Sequence, residues 1–311
     1  MIRIIAKLFA VAVVLIAFLP VAPLHAAPVV WISSTGKDTN PCTAALPCAS
    51  FFIAFSAAAN NGQVSCLNAP SDQGNDIYAL PFTITIDCPG GVWAAGGSVN
   101  PAMILASNFT LKIRHVTFSG NSAGMPAIKV LGSGTLILED CVFENYASST
   151  ALDIEPNGAL NLVITNSRIS NSAGGVLIEP QAGGSVTATL KGVTIADTSG
   201  GGLKTETING PVTVDISNST ISKNAGNGLN AVGGAGGPNM LNLIHDVIAS
   251  NGNAGIQANG TNAAALVNGS VLDSNTAGAT AVVGAGRILT YGNNSIVGTP
   301  GLGFTGPAAL Q

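Results

Sequence analysis

From about residue 83 to about residue 297, apolar positions return every 24 to 27 residues in three phased columns. One column reads Phe118, Phe143, Ile169, Ile195, Ile221, Ile248, Leu272 and Ile296, with steps of 25, 26, 26, 26, 27, 24 and 24. A second, five residues earlier, reads Ile113, Leu138, Ile164, Leu190, Ile216, Leu243, Val267 and Tyr291. A third runs Ile128, Leu152, Val176, Leu203, Leu229 and Ile256. Columns in register at this period predict one supersecondary unit stacked many times, a solenoid. Within a unit, Val212-Thr213-Val214-Asp215-Ile216 alternates with period 2, and Lys223-Asn224-Ala225-Gly226-Asn227-Gly228 is a turn cluster before the next short run at Leu229. Short alternating runs between Asn/Gly turns predict strands rather than helices. Three strands per coil, each stacked on its equivalent, make an all-β, single-stranded parallel β-helix; the Leu-x-x-Leu-x-Leu spacing of leucine-rich repeats is missing.

Two residues after the Ile113 column stand His115, Asp140, Asn166, Gly192, Asn218, His245, Gly269 and Asn293. These predict a ladder of side chains hydrogen-bonded from coil to coil at a tight corner. The same column gives His115 and His245 a structural role, because five coils separate them. Ahead of the repeats, Ser50–Asn60 reads as a short helix capping the open first coil, with Ser50 as N-cap, Gly62 just past its end, and Phe51, Phe52 and Phe55 directed to one face. Val297–Gln311 is Gly/Pro/Ala-rich and predicts a loose tail or weak cap. The expected organisation is therefore a leader over 1–26, a strand, loop and capping helix over 27–62, β-helix repeats over 63–297 and a tail over 298–311.

Composition narrows the function classes. Charged residues are 8% of the chain and the net charge is −4, with four Arg in all, which leaves no footprint for a nucleic-acid backbone. Residues 1–26 carry Arg3 and Lys7, an apolar run from Leu8 to Leu19, and Leu24-His25-Ala26-Ala27. This reads as a secretory signal peptide cleaved after Ala26, for export to the periplasm or beyond. No second apolar run reaches the ~20 residues of a membrane span. Export turns the five Cys into a disulfide question. Cys42 and Cys48 bracket a small loop, and Cys66 and Cys88 are 22 apart, close to one repeat, so that stacked strands ~4.8 Å apart bring them within bonding reach. The pairs 42–48 and 66–88 leave Cys141 as a buried structural thiol.

These features resemble the right-handed parallel β-helix, or pectate-lyase-like, superfamily. The segment from Trp31 to Cys42, followed by Pro47-Cys48, is similar to the opening of exported bacterial β-helix proteins of undefined role. The resemblance covers most of the mature chain and implies the right-handed fold. For activity it implies a wide range, since lyases, hydrolases, esterases, epimerases, adhesins and plain binders share it. The Asn-Thr-Asp, Asp-Asp, Gly-His-Gly and Arg-Ile-Lys signatures of its polysaccharide hydrolases are absent. Arg114, Arg168 and Arg287, candidates for a lyase base, fall in different columns.

One constellation carries candidate chemistry. Glu155, Glu179 and Glu206 share an outward position in three consecutive coils, with Asp153, Lys129 and Lys204 beside them. Carboxylates stacked ~5 Å apart match the acid pairs of retaining glycosidases at ~5–5.5 Å, and their mutual repulsion raises at least one pKa. The three glutamates are thus candidate catalytic residues, and Asp153, Lys129 and Lys204 candidate ligand contacts. The row could also take Ca²⁺ through its oxygens; no dedicated metal site is assigned. Pro156 and Pro180 follow two of the glutamates, which places the row at strand ends, as a solvated strip would be. Candidate sugar-stacking aromatics are Trp31, Tyr78, Trp93 and Tyr146. Three functions follow: an exported non-catalytic binder of polysaccharide or cell-envelope glycan, which needs the fewest special residues; a lyase or hydrolase using the acidic row; or a structural, adhesive surface protein. Oligomeric state is open, and bare end-coil edges would permit self-association.

Overall fold

The computed structural model describes residues 27–308, apart from 75, 79–82, 96–100, 102, 107 and 121–123. The expected signal peptide over 1–26 lies outside the described residues. The chain is an all-β, right-handed parallel solenoid of about 8 turns, with one short helix near its N-terminus. A full coil contributes three strands, as in Ala159–Thr165, Arg168–Ser170 and Gly174–Ile178. The first two kinds join round a corner into one large sheet, and the third stacks into a nine-stranded sheet ending at Thr280–Val283. Strand pairing is parallel and follows the repeat, for example Ile113↔Leu138↔Ile164↔Leu190↔Ile216. Among the described residues, no helix is long and apolar enough to cross a membrane.

The three apolar columns fill the interior, and nearly every member is buried. The first column extends beyond the regular repeat as a stack of rings: Phe51 on Trp93 at 4.1 Å, Trp93 on Phe118 at 5.6 Å and Phe118 on Phe143 at 4.8 Å between centroids. Trp93 and Tyr146 are therefore core residues, not the exposed sugar platforms expected of them. Trp31 is half-buried, and the side chain of Tyr78 lies outside the described residues. The helix is shorter than expected, Phe51–Ala57, and Gly62 falls inside the following strand, Ala58–Cys66. Ser50 caps it through its side chain, which accepts the Ile53 N–H. Phe51 and Phe55 are buried, while Phe52 points to solvent. Both disulfides join the expected partners, Cys42 with Cys48 and Cys66 with Cys88. Cys141 is a buried free thiol pushed up to about 12 by desolvation, and it donates to the Ile113 and Glu139 carbonyls.

The corner column behaves differently from expectation. His115, Asp140, Asn166, Asn218 and His245 hold φ near +50°, and Gly192 and Gly269 do the same. The column marks a left-handed corner in each coil, which Asn, Asp, His and Gly tolerate best. Its side chains are exposed, and the expected coil-to-coil bond is made by Asn293, whose Oδ1 accepts the Gly269 N–H; the residues that turn inward come one position later. There the Val193 N–H donates to Ser219 Oγ, Ser219 N–H to Asp246 Oδ1, Asp246 N–H to Ser270 Oγ and Ser270 N–H to Asn294 Oδ1. A second left-handed corner, at Asn145, Asn171, Asp197, Lys223, Ser250 and Ser274, repeats the device. After it, Thr198, Asn224, Asn251 and Asn275 form a buried ladder: Asn224 Nδ2 donates to Asn251 Oδ1 at 3.0 Å and Asn251 Nδ2 to Asn275 Oδ1 at 2.8 Å. Each Oδ1 of Asn224, Asn251 and Asn275 also accepts the backbone N–H of the preceding coil's ladder residue. At the C-terminal end, residues expected to be a loose tail make part of another coil. Thr305 N–H donates to Ile288 O, Gly306–Pro307 pairs with Leu289 and Thr290, and Phe304 packs against the core.

Candidate functional site

The acidic row lies on the outer face of the nine-stranded sheet, where period-2 alternation decides which side chains reach water. In Ile128–Val130, Thr150–Ile154, Gly174–Ile178 and Leu203–Glu206, the inward members Ile128, Val130, Leu152, Ile154, Val176, Ile178, Leu203 and Thr205 are buried. Register then aligns Lys129, Asp153, Leu177, Lys204 and Asn230 in one outward row. Glu155 and Glu179 directly follow the strands ending at Ile154 and Ile178, each against a proline, as the sequence suggested.

All six candidate residues come together. Lys129 Nζ bonds Asp153 Oδ2 at 2.8 Å and Glu155 Oε1 at 2.7 Å. Lys204 pairs with Glu206 on its own strand. Glu179 stands between these pairs without an ion-pair partner among the described residues. One oxygen each of Asp153, Glu155 and Glu179 lies within 4.8 Å of the others. Desolvation lowers the proton affinity of Lys129, but its two carboxylate partners outweigh that and hold it above the ordinary lysine value. Desolvation holds the Asp153 carboxyl above the usual range despite Lys129, and its Oδ1 has no hydrogen-bond partner. Glu179 is also raised, by desolvation first and then by the charges of Glu206, Glu155 and Asp153. Three carboxylates at this spacing offer oxygens to a hard cation, but the Lys129 ammonium already serves as the cation of two of them.

Beside Leu177 and Lys204, toward the starts of the strands, the face sinks into a groove of about 360 Å³. Its lining comes from five successive coils, with Thr150 at one end, Leu177 and Lys204 along its length, and Asn227, Asn230 and Asn253 toward the other end. Its depth comes from missing side chains. Gly174, Gly201 and Gly226 line it, and a Cβ at Gly174 would stand 2.9 Å from Thr150 Oγ1. Asn227 Nδ2 donates to Gln257 Oε1, whereas Asn230 Oδ1 has no partner. Sequence pattern alone marks this groove only by glycine at neighbouring coil positions. His115 lies on the other sheet, its Nδ1 2.8 Å from Asp87 Oδ1, with Arg114 on the same carboxylate. His245 is remote from it.

Among solved structures the chain is similar to pectate lyase Pel9A, at 13% identity over 90% of this chain and 78% of that one, with a TM-score of 0.47. It is similar to a rhamnogalacturonan lyase at 12% identity, covering 78% and 74%, with a TM-score of 0.49. A GH136 lacto-N-biosidase from Eubacterium ramulus matches at 11% identity over 88% and 67%, with a TM-score of 0.34. No curated protein matches the sequence. The family described as "Right handed beta helix region" matches residues 102–272, more than half of the chain. With three parallel strands per coil beside that match, the chain belongs to the right-handed β-helix family.

Proposed function

We propose that this protein is an exported, non-catalytic binder of polysaccharide that holds a glycan chain across the coils of its nine-stranded sheet. The observation that carries the reading is the groove beside Leu177, Lys204 and Asn230. It runs along the solenoid axis, where equivalent positions repeat every ~4.8 Å, so that an extended chain meets similar groups from coil to coil. Its walls combine a flat, glycine-lined floor with amide, hydroxyl and ammonium groups, the mixture that polyhydroxylated ligands engage. A hydrolytic role would ask for a proton donor and a free carboxylate facing a substrate. Here Lys129 holds Asp153 and Glu155 and Lys204 holds Glu206, so Glu179, the member of the row without such a partner, lacks a second free carboxylate beside it. Export is supported by the leader-like residues 1–26 and by two disulfides, which persist in oxidising compartments.

The test is binding of the purified protein to a panel of immobilised polysaccharides. Saturable binding is expected, and Lys204→Ala and Asn230→Ala each weaken it about tenfold with little change in melting temperature. Release of reducing ends or unsaturated products, abolished by Glu179→Gln, would replace this reading with a lyase or hydrolase built on Glu155, Glu179 and Glu206. Absence of both binding and cleavage across the panel would leave a structural surface protein.

A further inference from the structure

We infer that the glycan taken by this groove is an uncharged one, and that polyuronates and other polyanionic chains are excluded. The inference rests on the glycan-binding reading above and narrows its ligand class. Charge is the first ground. On the outward strand positions of the nine-stranded sheet, two lysines (Lys129, Lys204) face four carboxylates (Asp153, Glu155, Glu179, Glu206), which leaves −2 when all are ionised. A chain lying along the axis passes from the groove directly onto this cluster, because Asp153, Leu177 and Lys204 are register neighbours.

The state of the lysines is the second ground. A uronate needs a cation free to meet its carboxylate. Lys129 is spent on two acids, and Lys204, the one charged group lining the groove among the described residues, is paired with Glu206. The remaining polar lining is neutral: the amides of Asn227, Asn230 and Asn253 and the Thr150 hydroxyl. Amides and hydroxyls both donate and accept, which matches the hydroxyl groups of neutral sugars and gives no compensation for a polyanion. Asn230 Oδ1, still without a donor, is the acceptor that a sugar hydroxyl would satisfy once the side chain turns outward.

The experiment measures affinity of the full exported protein for neutral chains (a β-glucan, a galactomannan, chitooligosaccharides) and for polygalacturonate and alginate, at low and high salt. The expected result is binding of at least one neutral glycan with little salt dependence. Polyuronates bind about tenfold or more weaker at low salt, and the gap narrows as salt screens the cluster. Glu179→Gln narrows the same gap at low salt by raising polyuronate affinity. Tighter binding of a polyuronate than of every neutral chain, weakening with salt, would overturn the inference while leaving the groove a glycan site. Failure of all chains to bind would remove the glycan-binding reading itself, and this inference with it.

Discussion

Asp246 is the one carboxylate in an inward column that reads Val116, Cys141, Ser167, Val193, Ser219, Asp246, Ser270 and Asn294, and replacing it with the serine of its two neighbouring coils has a calculable consequence. The residue is 1% exposed. Its Oδ1 accepts the Ser219 N–H at 2.8 Å and its Oδ2 the Ile244 N–H at 2.9 Å. These bonds and neighbouring His245 favour the carboxylate, yet desolvation outweighs them and pushes the group up to about 6 from an ordinary 3.8. The folded protein therefore keeps this proton to a higher pH than the unfolded chain does. Stability from the group is fully present below pH 3.8 and is lost as pH rises through about 6. A shift of roughly two units at 1.36 kcal/mol each is about 3 kcal/mol.

Serine needs no charge there. Ser219 and Ser270 show how it sits: each Oγ accepts a backbone N–H from the preceding coil and donates to the carbonyl two residues back at 3.0 Å. In Asp246→Ser the Ser219 N–H keeps its acceptor. The Ile244 N–H, on an exposed residue, turns to water at a cost of about 1 kcal/mol. The variant should therefore be more stable than the parent by about 2 kcal/mol at pH 8 and slightly less stable at pH 4. The assay is urea unfolding of both proteins at intervals from pH 4 to 8, reading the difference in free energy. Contributions from the other carboxylates cancel in that difference. Parallel pH profiles for the two proteins would refute the reasoning.

Other expectations follow from single contacts. Lys129→Met removes the cation from Asp153 and Glu155, so the Asp153 carboxyl titrates higher still and stability falls more at pH 7 than at pH 4, as melting curves at the two pH values will report. Asn251→Ala breaks the amide ladder at its centre, stranding donors on Asn224 and an acceptor on Ile221; a loss of about 3 kcal/mol is expected, with faster amide exchange concentrated in residues 221–280. Replacing Cys66 and Cys88 by serine releases a loop with a separation of 22 residues, and chemical denaturation should show about 3 kcal/mol less stability.

The repeat made the architecture legible because every coil buries the same positions, so each apolar column repeats one constraint about eight times. Corners were legible only as polar columns. Asn, Asp and His at a left-handed φ and Asn or Ser at the adjacent inward ladder use the same residue types for different reasons, and spacing alone does not say which of two neighbours turns in. Trp93 was within reach of the same count, since a step of 25 back from Phe118 lands on it and the two pair in register. The irregularity between Asp87 and Gly91 hid this, because it sets Ile86 seven residues before Trp93 where later coils keep a spacing of five. The groove lay beyond reach altogether, since it is made by side chains that glycines lack.

The acidic row shows where pattern stops short of chemistry. Its stacking is a matter of period and was visible. Its charge state depends on Lys129, one coil away in space but 24 and 26 residues away in sequence, and on Lys204 folding onto Glu206 two positions along its own strand. The lysines turn what looks like four free carboxylates into one lysine holding two acids, one lysine–glutamate pair, and Glu179. On the glycan-binding reading proposed above, a face that carries such a residue beside the groove repels chains of its own sign and places few demands on an uncharged one. Specificity would then rest less on any single group than on which charges the coils above and below leave uncompensated.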